Sequence, residues 1–238
     1  MVRILVLDLD GTLVDSVDDL LASLNLVLGQ HGLAPLTRAD VAPMIGDGAR
    51  VLLERAFAAR GRDVPEGALD ALLNHYTAHA AVLSKPFPGA ADALGTMRAQ
   101  GWRFAVCTNK PEAAARALLD ALGLSHWFDA VGGGDSFPAR KPDPAHLLAT
   151  LHAAGGTACA AVMVGDHAND VQAAAGAGVP CVFAAWGYGP LSMADGCPVA
   201  HGFADLPRLC ESLLPSSLPP RGEGAPGGGG WGGGHDPR

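Results

Sequence analysis

The stretch Val2-Arg3-Ile4-Leu5-Val6-Leu7-Asp8-Leu9-Asp10-Gly11-Thr12 decides the reading of this chain. Its first six residues are almost wholly apolar and rich in β-branched types. Such a run reads as a strand buried on both faces, the kind found inside parallel sheets. The strand ends in two carboxylates, Asp8 and Asp10, two residues apart and so able to face the same side. Gly11 then lets the chain leave in a tight turn. Open parallel sheets build their sites at the carboxyl ends of the strands. Asp8 and Asp10 therefore stand where chemistry is expected.

Working outward, other segments repeat this plan. Arg103–Cys107 reads as a strand ending in Thr108-Asn109-Lys110, and Ala160–Val164 as one ending in Gly165-Asp166-His167-Ala168-Asn169-Asp170. Arg140-Lys141-Pro142-Asp143-Pro144 stands at a helix start. Helices are expected over Glu112–Leu122, closed by Gly123, over Pro144–Ala154, closed by Gly155, and over Asp170–Ala175. Ala130–Val131 and Val179–Ala184 supply further strands. This alternation predicts βαβ units, hence an α/β fold with a Rossmann-like parallel-sheet core.

Between the first strand and that alternation lies a block with helical periodicity throughout. Leu20, Leu21, Leu24, Val27 and Leu28 share one helix face. Ser16-Val17-Asp18-Asp19 reads as a capping box, and Thr37 to Asp40 as a second start. Gly48 to Arg60 reads as a helix ended by Gly61, and Asp63 to Glu66, with Pro65 in the first turn, as the opening of another. The block is too long for a loop, so an inserted all-helical domain is expected. Lys85-Pro86-Phe87-Pro88-Gly89 is read as the hinge out of it. The organisation predicted is a catalytic core of residues 1–15 and 86–212, a helical cap of residues 16–85, and a Gly/Pro-rich tail, 213–238. From Pro215 onward that tail holds five of the 18 prolines and nine of the 32 glycines. Such a composition cannot bury enough surface to fold and is expected to be disordered.

Composition narrows the partners. The chain has 238 residues, of which 49% are apolar and 17% charged, and a formal net charge of −8. Its lysines are Lys85, Lys110 and Lys141. With no basic cluster, neither a nucleic-acid backbone nor an anionic membrane is an expected partner. No apolar run approaches the roughly 20 residues of a membrane span, and no secretory signal is visible. A cytoplasmic protein, monomer or homodimer, is the default. The five cysteines show no CxxC spacing, and Cys107 and Cys181 read as buried thiols.

Four carboxylates, Asp8, Asp10, Asp166 and Asp170, are thus expected at one sheet edge. Like charges so close repel, and a divalent cation relieves them. An all-oxygen site points to Mg²⁺ rather than zinc. Lys110 and Lys141 stand opposite. A metal, a lysine and the Thr108 hydroxyl make a cradle for a phosphoryl group. One carboxylate can act as nucleophile while a second protonates the leaving oxygen and then activates water.

Asp8–Ser16 resembles the first motif of the haloacid dehalogenase superfamily. Val106–Glu112 resembles its second motif, Lys141–Pro144 its third and Gly165–Asp170 its fourth, in family order over about residues 1–212. The helical block resembles the family's small cap domain. Within the family, Thr-Asn-Lys-Pro (108–111), Arg-Lys-Pro-Asp-Pro (140–144) and Gly-Asp-Gly-Ala-Arg (46–50) are most similar to the bacterial phosphoglycolate phosphatases. The resemblance implies Asp8 as nucleophile and Asp10 as general acid/base. It implies Thr108, Asn109 and Lys141 as binders of a small phosphorylated metabolite. It also implies Mg²⁺ held by Asp8, the Asp10 carbonyl and Asp166, with Asp170 in support. Two positions depart from the pattern: Asp47, where Asn is usual, and His167, where a small hydroxyl residue is common.

Other readings stand beside these. Lys110 reads as a rim charge or salt bridge, and Arg50 as an exposed helix arginine. His167 reads as a solvated loop residue, the other histidines as surface residues, and Gly132-Gly133-Gly134 as a flexible turn. The expected function is a Mg²⁺-dependent phosphatase, with 2-phosphoglycolate the first choice of substrate. Sugar phosphates, amino-sugar phosphates and pyrophosphate stay open, as do a phosphosugar mutase and, from a different class, a phospho-accepting signalling module.

Overall fold

The computed structural model of the chain describes residues 2–214. Alternation along β1 (Arg3–Leu7) fixes the two faces of its sheet. Leu5 and Leu7 enter one apolar layer, Ile4 and Val6 the other, and all four are fully buried. A strand with no wet side has to lie inside a sheet covered on both faces. β1 does so, pairing in parallel with β4 (Trp102–Cys107) on one side and β6 (Ala161–Gly165) on the other.

Between β1 and β4 the chain forms β2 (Val14–Asp15), α1 (Val17–Gln30), α2 (Arg38–Val41), α3 (Ala49–Ala58), α4 (Ala68–Ala78), β3 (Lys85–Pro86) and α5 (Ala90–Ala99). After β4 come α6 (Glu112–Ala121), β5 (Ala130–Gly132) and α7 (Pro144–Ala153). After β6 come α8 (Ala168–Ala177), β7 (Cys181–Ala184), β8 (Val199–Ala200) and α9 (Leu206–Leu213). The parallel sheet has the order β5-β4-β1-β6-β7-β8. The order reverses at β1, which makes its carboxyl end the topological switch point where α/β sheets place their sites.

Residues of α5, α6 and α9, among them Leu94, Leu118 and Leu206, join the layer of Leu5 and Leu7. Leu147 and Leu151 of α7 and Val171 of α8 join that of Ile4 and Val6. Helices α1 to α4 have a third core of their own, built from Leu24, Leu28, Leu53, Phe57 and Leu72. Each such side chain contributes about 1.5–3 kcal/mol when taken out of water, so these helices stabilise one another largely without the sheet. β2 and β3 pair antiparallel, Val14 with Pro86 and Asp15 with Lys85, and so clasp the two ends of the helical segment together.

Several expectations need correction. Ser16 precedes α1 but makes no side-chain cap. Its hydroxyl donates to Asp10 instead. Asp19 is buried and accepts from the Leu83 and Ser84 amides and the Ser84 hydroxyl, so it ties α1 to the end of the helical segment. The box at Thr37 and Asp40 does form. The helix expected from Asp63 begins at Ala68, because Gly67 takes a left-handed conformation and starts it there. The tail expected from residue 213 starts later: α9 ends at Leu213, and Leu213 and Leu214 pack on the core. Residues 215–238 lie outside the described residues. Cys107 and Cys181 are buried, as expected. Among the described residues no helix is long and apolar enough to cross a membrane.

Candidate active site

Asp8 prolongs β1 by one residue, its amide donating to the Val164 carbonyl at 2.9 Å. That bond aims the carboxylate beyond the sheet edge, beside the loop after β6. There Asp8, Asp166 and Asp170, all buried, bring one oxygen each within 4.8 Å of one another. Lys141, just before α7, reaches into the group. Its Nζ lies 2.9 Å from Asp8 Oδ1 and 2.6 Å from Asp170 Oδ1, with the side chain 1% exposed. Asp166 accepts from the Thr12 hydroxyl at 2.7 Å and the Tyr188 amide at 2.8 Å. Gly11 is required beside it. Its φ is +86°, and a Cβ there would lie 2.5 Å from Asp166 Oδ2.

Burial and crowding shape the charges. Burial, then the charge of Asp8, pushes Asp166 up to about 6. Burial pushes Asp170 up to about 7, against the pull of Lys141. Burial alone would lower Lys141, but Asp170 and Asp8 outweigh it and hold the ammonium well above its ordinary value. Three buried carboxylates, two of them paired with the Lys141 ammonium, form a hard, all-oxygen, negatively charged donor set. That chemistry fits a divalent cation of the Mg²⁺ type.

Asp10 stands apart from that group. Both its oxygens accept from Lys110 Nζ at 2.9 Å, and the Ser16 hydroxyl donates to Oδ1. Lys110 thus forms the salt bridge expected as one alternative, buried rather than on a rim, with Nζ 4.0 Å from the centroid of the Tyr76 ring. Thr108 continues β4, its amide bonded to Gly132 O, and its hydroxyl accepts from the Lys110 amide. The Asn109 side-chain amide donates to Gly46 O at 3.0 Å and Lys141 O at 2.9 Å, bridging the helical segment to the sheet edge. A cavity of about 40 Å³ lies between Asp8, Asp10, Thr108 and Lys110 on one side and Ile45, Gly48, Leu52 and Tyr76 on the other.

Comparison with known proteins agrees with this geometry. Residues 2–178 match the model of the haloacid dehalogenase-like hydrolases. A phosphoglycolate phosphatase of Caulobacter vibrioides is 44% identical over 219 residues, covering 90% of this chain and 92% of that protein. One from Agrobacterium fabrum is 43% identical over 216 residues, 88% of this chain and 93% of that protein. The chain belongs to the haloacid dehalogenase-like hydrolase family. Its fold matches a solved structure from Haemophilus somnus, described as a predicted phosphoglycolate phosphatase, with a TM-score of 0.81 and 31% identity. That match covers 87% of this chain and 97% of the other. A haloacid dehalogenase-like hydrolase is an enzyme, and the switch-point cluster is where its polar residues converge.

Within this hydrolase some sequence expectations change. His167 is half-buried, not a solvated loop residue. It N-caps α8, its ring nitrogen accepting from the Asn169 amide at 3.3 Å. His146 is fully buried rather than on the surface, and accepts from the Lys141 amide at 3.2 Å. Gly132 ends β5, and Gly133 and Gly134 lead into the turn after it. A Cβ at each would meet Thr150, Glu112 or the Asn109 carbonyl within 2.4 Å, so they are close-packing positions beneath the site. Arg50 is exposed, as expected. Sequence reasoning missed Tyr188, whose hydroxyl donates to Asp15 and accepts from the Ser16 and Val17 amides. It also missed Tyr76. Neither lies in a motif, and each reaches the site only through the fold.

Proposed function

We propose that the chain is a Mg²⁺-dependent phosphatase that hydrolyses a small phosphomonoester, 2-phosphoglycolate first, through an aspartyl-phosphate on Asp8. The observation that carries this is Asp8 at the switch point, within 4.8 Å of Asp166 and Asp170 and bonded to Lys141, beside a small cavity.

An Asp8 oxygen attacks phosphorus, the ester P–O bond breaks, and the leaving alkoxide takes a proton from Asp10. Asp10 then removes a proton from water. The resulting hydroxide attacks phosphorus and the acyl–phosphate O–P bond breaks, which frees phosphate and restores Asp8. Thr108 and Lys141 hold the phosphoryl oxygens, and Asn109 orients the loop that carries Thr108. Asp8, the Asp10 carbonyl and Asp166, with Asp170 in support, would hold Mg²⁺, which would supply positive charge that lets an anion approach an anion. In the structure Lys110 and the Ser16 hydroxyl hold Asp10 as a carboxylate, so it has to leave that pair and take up a proton before it serves as the acid.

Helices α1 to α4 act as a cap, with β2 and β3 as its hinge. Closing it excludes bulk water. The cavity between the cap and the sheet edge, lined by Asp8, Asp10, Thr108 and Lys110, is where the ester would sit. The relatives named phosphoglycolate phosphatase support 2-phosphoglycolate as the first choice of ester. A cytoplasmic metabolite enzyme, monomer or homodimer, is the setting this reading implies.

The test is phosphate release from 2-phosphoglycolate, glucose phosphates, an amino-sugar 6-phosphate and pyrophosphate, with Mg²⁺ and with EDTA. Mg²⁺-dependent preference for 2-phosphoglycolate is expected. Preference for another ester would move the specificity, and release unaffected by EDTA would overturn the metal.

A further inference from the structure

The loop Gly46-Asp47-Gly48 ties the helical segment to the catalytic edge by hydrogen bonds from two asparagines. Asp47 Oδ1 accepts from Asn169 Nδ2 at 2.6 Å, the length of a charge-assisted bond. The same Asn169 amide lies 3.3 Å from Gly46 O, which also accepts from Asn109. The loop fits tightly. A Cβ at Gly46 would lie 2.8 Å from the His167 ring, and one at Gly48 would lie 2.9 Å from Asn109 O. Two asparagines, one after β4 and one in α8, thus grip one loop of the helical segment.

Asp47 brings a further carboxylate toward an edge that already carries Asp8, Asp10, Asp166 and Asp170. Arg55 in α3 offsets it. Its guanidinium pairs with Asp47 Oδ2 and also donates to Met44 O at 2.8 Å, so both ends of the loop are fixed to one helix. The carboxylate therefore reaches Asn169 already paired and already oriented.

We propose that Asp47, neutralised and aimed by Arg55, is the latch that holds the helical cap closed on the catalytic edge, with Asn169 as its catch. Asp47 is a positioning residue. It touches no reacting atom and acts by setting the fraction of molecules that are closed. Apparent affinity falls in proportion when that fraction falls, so the latch governs KM more than kcat. The inference rests on reading α1 to α4 as a cap that opens.

The test uses Asp47→Ala, Asp47→Asn, Arg55→Met and the double variant Asp47→Asn/Arg55→Met. Two readouts are taken: KM and kcat for the best ester, and hydrogen exchange of the amides of residues 44–50 in the substrate-free protein. Asp47→Ala is expected to raise KM about tenfold, the effect of one hydrogen bond to a charged group, with kcat changed less than about twofold. Exchange of residues 44–50 should quicken alongside. Asp47→Asn keeps an acceptor for Asn169 and should stay near wild type. Arg55→Met leaves the carboxylate unpaired and should raise KM. The double variant should return to the Asp47→Asn value, since a neutral acceptor needs no cation, whereas a merely structural role for Arg55 would not be rescued. Unchanged KM and exchange in Asp47→Ala, or no rescue in the double variant, would overturn the latch. Exchange is read without substrate, so a wrong substrate assignment leaves this test standing.

Discussion

Lys141→Met removes the ammonium that pairs with two of the three clustered carboxylates. At an effective dielectric of about 20, two unit charges at the 4.8 Å limit of the cluster repel by about 3.5 kcal/mol, or about 10 kcal/mol over three pairs. Lys141 Nζ, at 2.9 Å from Asp8 and 2.6 Å from Asp170, returns about 12 kcal/mol of gross attraction on the same scale. The two nearly cancel, so the ammonium is what lets three ionised acids share the site. Without it the acids have to take up protons to relieve the repulsion. Removing one partner of a buried charge group costs about 3–5 kcal/mol, the expected loss at pH 8.5 without divalent cations. Burial already pushes Asp166 up to about 6 and Asp170 up to about 7. A carboxyl raised in the folded state costs stability as pH rises through the folded value and costs nothing where both states are protonated. Loss of Lys141 raises both acids further, so the deficit should shrink toward pH 5. Urea unfolding of wild type and variant at pH 8.5 and pH 5, in EDTA, measures it. A deficit below about 0.5 kcal/mol at pH 8.5, or one equal at both pH values, would refute the reasoning.

Other outcomes follow from the same geometry. Asp8→Asn should abolish turnover while leaving thermal stability equal or higher, because it removes one of three repelling charges. A steady-state assay with a thermal melt checks both, and substantial residual turnover contradicts the nucleophile. Gly11→Ala forces a Cβ to 2.5 Å from Asp166 Oδ2 at a φ of +86°; a loss of about 1–3 kcal/mol is expected, with reduced kcat, and an unchanged urea midpoint would sink it. Burial, and then the charge of Lys141, lowers His146 to about 4, with Asp8 acting in the opposite sense. Its unfolded form protonates near pH 6.5 and its folded form does not, so stability falls by about 3 kcal/mol as pH drops from 6.5 to 4. His146→Met should remove that component from the pH–stability curve, and an unaltered curve would contradict it.

The sheet was legible because strands without a wet side have one solution. Ile4–Leu7 and Phe104–Cys107 are apolar at every position, and each runs straight into polar residues. The helical segment was legible from Leu20, Leu24 and Leu28, and its second cap from Thr37 and Asp40. Ser16 and Asp19 misled because the cap pattern is local while their partners are not: Ser16 serves Asp10, and Asp19 serves Ser84. His146 looked like a surface residue because one histidine in an alternating run carries no burial signal. Gly132–Gly134 read only as a turn because composition does not show what a Cβ would strike. α5, β8 and α9 went unread, being short or built from small residues such as Ala90 and Ala93. Within the site, Asp8, Asp166, Asp170 and Lys141 were foreseen at strand ends and helix starts. The pairing of Asp10 with Lys110 rather than with the cluster required the fold.

Everything proposed for the reaction turns on Asp8 carrying the phosphoryl group. The direct measurement is rapid acid quench during turnover of the best ester, then tryptic digestion and mass spectrometry of the peptide spanning residues 4–38. The account predicts a mass increase of one phosphoryl group on Asp8 that decays with turnover and is absent from Asp8→Asn. Turnover without that species at any quench time, or with the group on another residue, would contradict it.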